Sequence, residues 1–372
     1  MQKEELDKLI ALRHTLHRCA ERSMQETQTM ERLIAFLQEN TDLSVVRRDG
    51  WFYAVRYGAT GAPAVAIRAD MDALPIPETI SVPYASTDPG VSHKCGHDGH
   101  CAALCGLALE LKTLRTDKTV YLLFQPGEET GQGALRCRTL LDEADISEIY
   151  AFHNLSGYPL GTVVYRPGLT QPASEGLQIR LHGKTSHAAS PEAGVNPAHV
   201  LAQTVLYAES RAQDAREGML LCTVAGIALG SGDFGVSPGE GTLSLTLRGE
   251  SEPEMKRLES DVLSFAAAEC ATAGLHMTYA VRDAFPQTRN HPESLQRVLR
   301  AARSAAIPTL AMPELWRASE DFGYYLQRCP GAMVYIGNGE TYPALHTAEY
   351  DFNDAILPTA VKLFAAVLEH GA

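Results

Sequence analysis

Short apolar runs that stop at polar residues constrain this chain more than any other feature. Ala64-Val65-Ala66-Ile67 runs into Arg68-Ala69-Asp70-Met71-Asp72, Thr119 to Phe124 into Gln125-Pro126-Gly127-Glu128-Glu129, Ile149 to Phe152 into His153, and Met333 to Ile336 into Gly337-Asn338-Gly339. Each run has the length of a strand buried on both faces, and helical stretches at 98–114 and 357–369 lie between or after them. The pattern predicts an α/β domain with a mostly parallel sheet and helices on both faces. In such sheets ligands bind beyond the carboxyl ends of the strands, which here carry acids and a histidine. One shared site is expected there.

The 372 residues exceed one ordinary core, since a domain averages roughly 150 residues. From 175 to 283 the pattern changes to strand (177–181), helix (197–211), two strands (219–228 and 241–248), helix (253–270) and strand (277–281). That β-α-β-β-α-β order is ferredoxin-like. It predicts an inserted α+β lid or dimerisation domain at 175–283, splitting a catalytic domain made of 1–174 and 284–372. Pro167-Gly168 and Pro172 precede the insertion, and the stretch from Asp283 to Pro292 follows it with few apolar residues. Near the N-terminus, Ser23-Met24-Gln25-Glu26 has the form of a capping box for a helix bearing Met30, Leu33, Ile34 and Leu37.

A formal charge of −13, with no basic run, argues against nucleic acid as a partner. The first residues lack a secretory apolar core, and nowhere do about 18 apolar residues run together, so the expectation is a cytoplasmic protein with no membrane partner. Eight cysteines in such a chain suit reduced thiols better than a disulfide framework.

The chemistry concentrates in His93-Lys94-Cys95-Gly96-His97-Asp98-Gly99-His100, where three imidazoles, a thiol and a carboxylate occupy eight residues. Thiolate and imidazole are good ligands for zinc and related ions, and the two glycines leave room for a tight turn. Alone, the cluster could be a structural zinc site. Glu128 and Glu129, adjacent after a Pro-Gly turn, are expected to point to opposite sides, one to ligate and one to reach a water. His153 and His346 are each ambiguous alone. With Cys95, His97 and Glu129 they make five donors, too many for one tetrahedral site and suited to two ions sharing a ligand. Gly183-Lys184-Thr185 lacks the earlier glycine of a phosphate loop, Gly131-Gln132-Gly133 lacks the third glycine of a dinucleotide site, and neither HExxH nor GxSxG occurs.

These residues resemble the M20 metallopeptidases, in the amidohydrolase branch of aminoacylases, hippurate hydrolases and indole-acetyl-amino-acid hydrolases. The resemblance rests on Arg13-His14-Thr15-Leu16-His17 with Glu21, Arg68 to Pro75, Cys95 to His100, Phe124 to Glu129, His182-Gly183-Lys184 with Ser186-His187-Ala188-Ala189, Ser319-Glu320-Asp321-Phe322, and Leu345-His346. It implies that Cys95, His97, Glu129, His153 and His346 hold two divalent ions (Zn, Mn, Co or Ni), with Cys95 able to bridge them. It further implies that Glu128 is the general base toward a water on those ions, and that His187 is an oxyanion donor, often to the partner subunit's site. Asp70 and Asp72 would orient ligands, Asp98 would do so or cap a helix, Glu320 would line the site or serve structure, and Arg248 would pair with a substrate carboxylate. The implied substrate is an N-acyl amino acid, a small related amide or a dipeptide. The implied assembly is a homodimer through the inserted domain.

Two departures stand out: Ala20 replaces the usual Pro before Glu21, and Gly235-Val236-Ser237-Pro238 stands where many relatives have Asn-Val-Ile-Pro. The second bears on substrate choice. Competing readings are a metal-independent thiol amidase using Cys95, and a ligand-binding homologue that has lost turnover. His93 and His100 have no assigned task.

Overall fold

In the computed structural model, which describes residues 1–369, the chain divides into two compact units. The first comprises Met1–Thr170, Thr288–Leu315 and Glu320–Ala372, and the second Gln171–Gln287 with Trp316–Ser319. The first contains an eight-stranded sheet in the order Ser44–Arg48, Trp51–Arg56, Thr119–Gln125, Ala64–Asp70, Ile146–Leu155, Gly331–Gly337, Val163–Tyr165, Thr309–Ala311. The four central strands run parallel. They are the four apolar runs of the sequence, and their carboxyl ends share one edge of the sheet.

Helices cover both faces, and the alternation along each strand shows how. Val65, Ile67, Val120, Leu122, Tyr150, Phe152, Val334 and Ile336 join one core with the helices Lys3–Arg18, Thr27–Asn40, His97–Glu110, Pro292–Ser304 and Leu357–Glu369. Their neighbours Ala64, Ala66, Leu123, Ile149, Ala151 and Met333 join a second core with Cys137, Leu140, Phe322 and Tyr325. Buried on both faces, these strands read as continuous apolar runs.

The helix His97–Glu110 is buried at every position from His97 to Ala108. Its glycines serve packing. A Cβ on Gly99 would lie 2.3 Å from the Phe352 ring, and one on Gly106 2.6 Å from Val361. Only Gly96, at φ +100, supplies the left-handed turn that the sequence suggested for both Gly96 and Gly99.

The second unit carries the expected order of strands and helices, most of them longer than expected and the strand Leu220–Leu229 shifted by one residue. Its antiparallel sheet runs Leu220–Leu229, Glu240–Gly249, Ala173–His182, His276–Phe285. One face, with Leu177, Ile179, Leu181, Leu243, Leu245 and Leu247, packs on the helices Ala198–Gln213 and Glu252–Ala273. Gln178, Arg180, Thr242 and Ser244, at alternate positions, present a polar face, the period-two pattern of a half-covered sheet. No helix among the described residues is long and apolar enough to cross a membrane.

The proposed capping box at Ser23 does not form. The helix starts at Thr27, the Ser23 hydroxyl donates to Asp72 Oδ2 at 2.6 Å, and Glu26 Oε1 accepts from the amides of Met24 and Gly127. Partners distant in sequence took the cap residues.

Candidate functional site

The carboxyl ends of the four parallel strands and the segments that follow them, including the irregular one after Gly331–Gly337, bring the ligand-type side chains together in the first unit. Cys95 precedes the buried helix, and His97 is its first residue. Glu128 and Glu129 open a 3-10 turn, Glu128–Thr130, entered through Gly127 at φ +58. They therefore do not alternate as on a strand, and both face one histidine: His97 Nε2 is 4.0 Å from Glu128 Oε2 and 3.8 Å from Glu129 Oε1. The Cys95 thiol lies 3.2 Å from His153 Nε2, and His346 Nε2 lies 3.4 Å from Glu129 Oε1.

Two triads result, each with its ligand atoms within 4.8 Å of one another: Cys95–His97–His153 and Cys95–Glu129–His346. Cys95 is common to both. The donor set fits two divalent ions sharing a thiolate. A second observation agrees. His97 Nε2 and Glu129 Oε1 are buried without a hydrogen-bond partner among the described residues, a costly arrangement unless another group satisfies them.

The other ring nitrogens are held. His97 Nδ1 sits 3.0 Å from the Asp72 carbonyl and 3.1 Å from Asp72 Oδ1, while His153 Nδ1 donates to the Asn154 carbonyl at 2.7 Å. Fixing Nδ1 in this way directs Nε2 to the site. His100 also lies near Asp70 and His97, but Asp70 Oδ1 and Asn154 Oδ1, each 2.6 Å away, engage both its nitrogens. It orients Asp70 and is not a ligand. His93 is fully buried, its imidazolium disfavoured by burial so that its pKa falls to about 4, and neither ring nitrogen has a partner among the described residues.

Electrostatics separate the groups. Burial works against ionised His97, but Asp70 and Asp72 outweigh it and raise its pKa to about 10. Burial opposes ionisation of Asp70 and Asp72 too, yet His97 holds both below the usual carboxylate range, helped at Asp70 by Arg68. Glu128 goes the other way: burial, then Glu320, Glu129 and Asp321, push it well above that range. Burial also pushes the Cys95 thiol up and His153 down.

Arg68, to which the sequence motif assigns no role, is central to the site. Fully buried, it donates to Gln125 Oε1 (2.8 Å), Asp70 Oδ2 (2.6 Å), Glu320 Oε1 (3.0 Å) and Asp321 Oδ1 (2.9 Å). Asp321 accepts from Gln125 Nε2 and the Ala134 amide, and its own amide lies 3.4 Å from Glu128 Oε1. Glu320 thus belongs to a buried ion network beside Glu128. An arginine within a buried strand was the available signal, since such a charge needs carboxylate partners. Asp98 pairs with His17 and Arg13 rather than with a ligand.

The second unit holds the two remaining candidates. His187 is exposed, in a two-residue strand paired with Val236-Ser237, and its Nδ1 accepts the Ala189 amide at 3.0 Å. Arg248 Nη1 bonds the Arg317 carbonyl and lies 3.1 Å from Ser319 Oγ. Gly235 donates its amide to Asp233 Oδ1 at 2.8 Å.

A parallel α/β sheet whose strand ends carry thiol, imidazole and carboxylate donors beside a buried glutamate of raised proton affinity defines a hydrolase site. The profile of peptidase family M20/M25/M40 matches residues 66–370, and the chain belongs to this family. It is 30% identical over 363 residues to an N-acetyl-L-cysteine deacetylase of Bacillus subtilis, covering 96% of this chain and 86% of the relative. It is 28% identical over 367 residues to an N-acetyldiaminopimelate deacetylase of Exiguobacterium sibiricum, covering 95% and 96%. Among solved structures it is similar to the Bacillus subtilis YXEP protein, a dinuclear metal-binding peptidase from the M20 family, with TM-score 0.82, 26% identity, and coverage of 99% of this chain and 100% of that one. The protein is an M20 amidohydrolase, a hydrolase acting on C–N bonds.

Proposed function

We propose that the protein hydrolyses the amide bond of N-acyl amino acids, or of small related amides and dipeptides, releasing a carboxylate and an amine. The observation that carries this reading is Glu128, a buried carboxyl of raised proton affinity within 4.0 Å of a ligand histidine. Such a group takes a proton from the attacking water and returns it to the departing amine nitrogen. Cys95, His97, Glu129, His153 and His346 would hold two divalent ions, of zinc, manganese, cobalt or nickel. When bound, the ions supply Lewis acidity to the scissile carbonyl and to water. Asp72 orients His97, and Arg68 with Glu320 and Asp321 surrounds Glu128. His187 accepts a proton bond at Nδ1, which leaves Nε2 as the protonated nitrogen and suits it to donate to an oxyanion. Arg248 would meet a substrate carboxylate. The two deacetylase relatives, named for N-acetylated amino acids, support this substrate class.

A product-release screen of N-acyl amino acids and dipeptides with defined metals tests the reading. Activity should vanish on chelation and return with Zn²⁺, Mn²⁺, Co²⁺ or Ni²⁺. The Cys95–His153 contact at 3.2 Å favours a thiol-amidase alternative, but burial pushes that thiol up and that imidazole down, the reverse of what a nucleophile and base need. Activity that survives chelation and dies on thiol alkylation would replace the metal reading with that one.

The assembly we propose is a homodimer through the inserted unit. The edge strand Leu220–Leu229 ends in Ala225–Leu229, uncharged and exposed at every position, and an uncovered apolar edge favours pairing. Ile227→Lys should yield monomers in sedimentation, and an unchanged mass would refute this interface. Eight unbridged cysteines support a cytoplasmic location.

A further inference from the structure

Of the five proposed ligands, His346 is the least secured by regular structure. Cys95 and His97 are anchored by a buried helix, Glu129 by a turn closing a central strand, and His153 lies within one. His346 lies in an irregular stretch, half-exposed, with φ at +63, a conformation unfavourable for a residue with a Cβ. Something must hold it there.

Lys94 is placed to do so. Its side chain is fully buried, which is rare for lysine and needs full pairing. Its carbonyl accepts the His346 amide at 2.7 Å, and its ammonium donates to the Tyr350 carbonyl at 2.9 Å and to Glu78 Oε1 at 2.7 Å. One residue thus grips the segment at both ends of the turn, and Thr79, beside Glu78, adds a bond to the Ala348 carbonyl at 2.9 Å. We propose that Lys94 is a positioning residue that clamps the 346–350 turn so that His346 completes the Cys95–Glu129–His346 triad, making occupancy of that triad, and not of Cys95–His97–His153, depend on a buried ammonium.

This inference rests on the dinuclear reading, and calorimetric titration of the metal-free protein with Co²⁺ separates the two. Wild type should take up two ions per chain; fewer would overturn the dinuclear reading itself. Lys94→Met, which keeps the stem and removes the charge, should bind one ion as wild type does and the other at least about tenfold more weakly, the effect usual for groups that orient ligands. The Co²⁺–thiolate absorption of the retained ion should persist. Two unchanged affinities would overturn the clamp, and so would equal weakening of both ions. Should Lys94→Met fail to fold, the double variant Lys94→Met/Glu78→Gln removes both partners of the ion pair, avoids a stranded carboxylate, and is held to the same outcomes.

Discussion

His97 and Asp98 are adjacent in sequence and belong to two buried clusters that look alike in composition and differ in chemistry. Around His97 stand Cys95, Glu129, His153 and His346, with His97 Nε2 and Glu129 Oε1 unsatisfied among the described residues. Around Asp98, the side chains of His17 and Asp351 also meet the spacing of a metal site. There, however, cations already occupy the acids. Arg13 bonds Asp354 at 2.9 Å and Asp351 at 2.8 Å, His17 bonds Asp98 at 2.9 Å and Glu78 at 2.8 Å, and Lys94 bonds Glu78. Density of ligand-type residues therefore does not mark a metal site. What sets the His97 cluster apart is that ligand-type atoms of two converging residues, His97 Nε2 and Glu129 Oε1, are left unsatisfied among the described residues.

The contrast can be broken experimentally. Glu128→Gln should lower kcat by about 10³-fold, within the usual range for a lost acid–base group, while metal content per chain stays unchanged. Full turnover in that variant would remove Glu128 from its role. Arg13→Met removes the guanidinium shared by Asp98, Asp351 and Asp354, and should cost about 3 to 5 kcal/mol in urea unfolding with no loss of bound ions. If an ion were lost at constant stability, the two clusters would not be separate.

His17 sharpens the comparison through pH. Burial disfavours its charge, but its bonds to Asp98 and Glu78 raise its pKa from 6.5 to about 9. A raised pKa stabilises the fold fully below pH 6.5, and that contribution fades as pH rises through about 9. Unfolding free energy should fall over this window by on the order of 3 kcal/mol in wild type, and His17→Gln should flatten the slope. An identical slope in the variant would show that the paired cluster is not the titrating element. The smallest effect is expected at Asp72, where Asn should weaken metal binding about tenfold in calorimetric titration. No change there would mean that His97 is oriented by the Asp72 carbonyl alone.

Much of this was legible in the sequence because the signals are local. Apolar runs that stop at polar residues located the four central strands, and the strand and helix order of the inserted unit agrees with expectation, its helices ending within a few residues of it. The same locality misled at Ser23 and at Glu128-Glu129, where a strand's alternation was assumed and a 3-10 turn formed. The role of Arg68 is not legible locally because its partners Glu320 and Asp321 lie 252 and 253 residues away in the chain.

By itself the sequence determined the central strands, the order of elements in the inserted unit and which donor types stand at strand ends, since hydrophobic period and side-chain chemistry are properties of neighbouring residues. Only the tertiary structure decided among the three histidines of the 93–100 segment. His97 has one ring nitrogen held and the other open whereas both nitrogens of His100 are engaged, and the groups that hold them come from distant segments: Asp72 just beyond the strand Ala64–Asp70, Asp70 at its end and Asn154 from Ile146–Leu155.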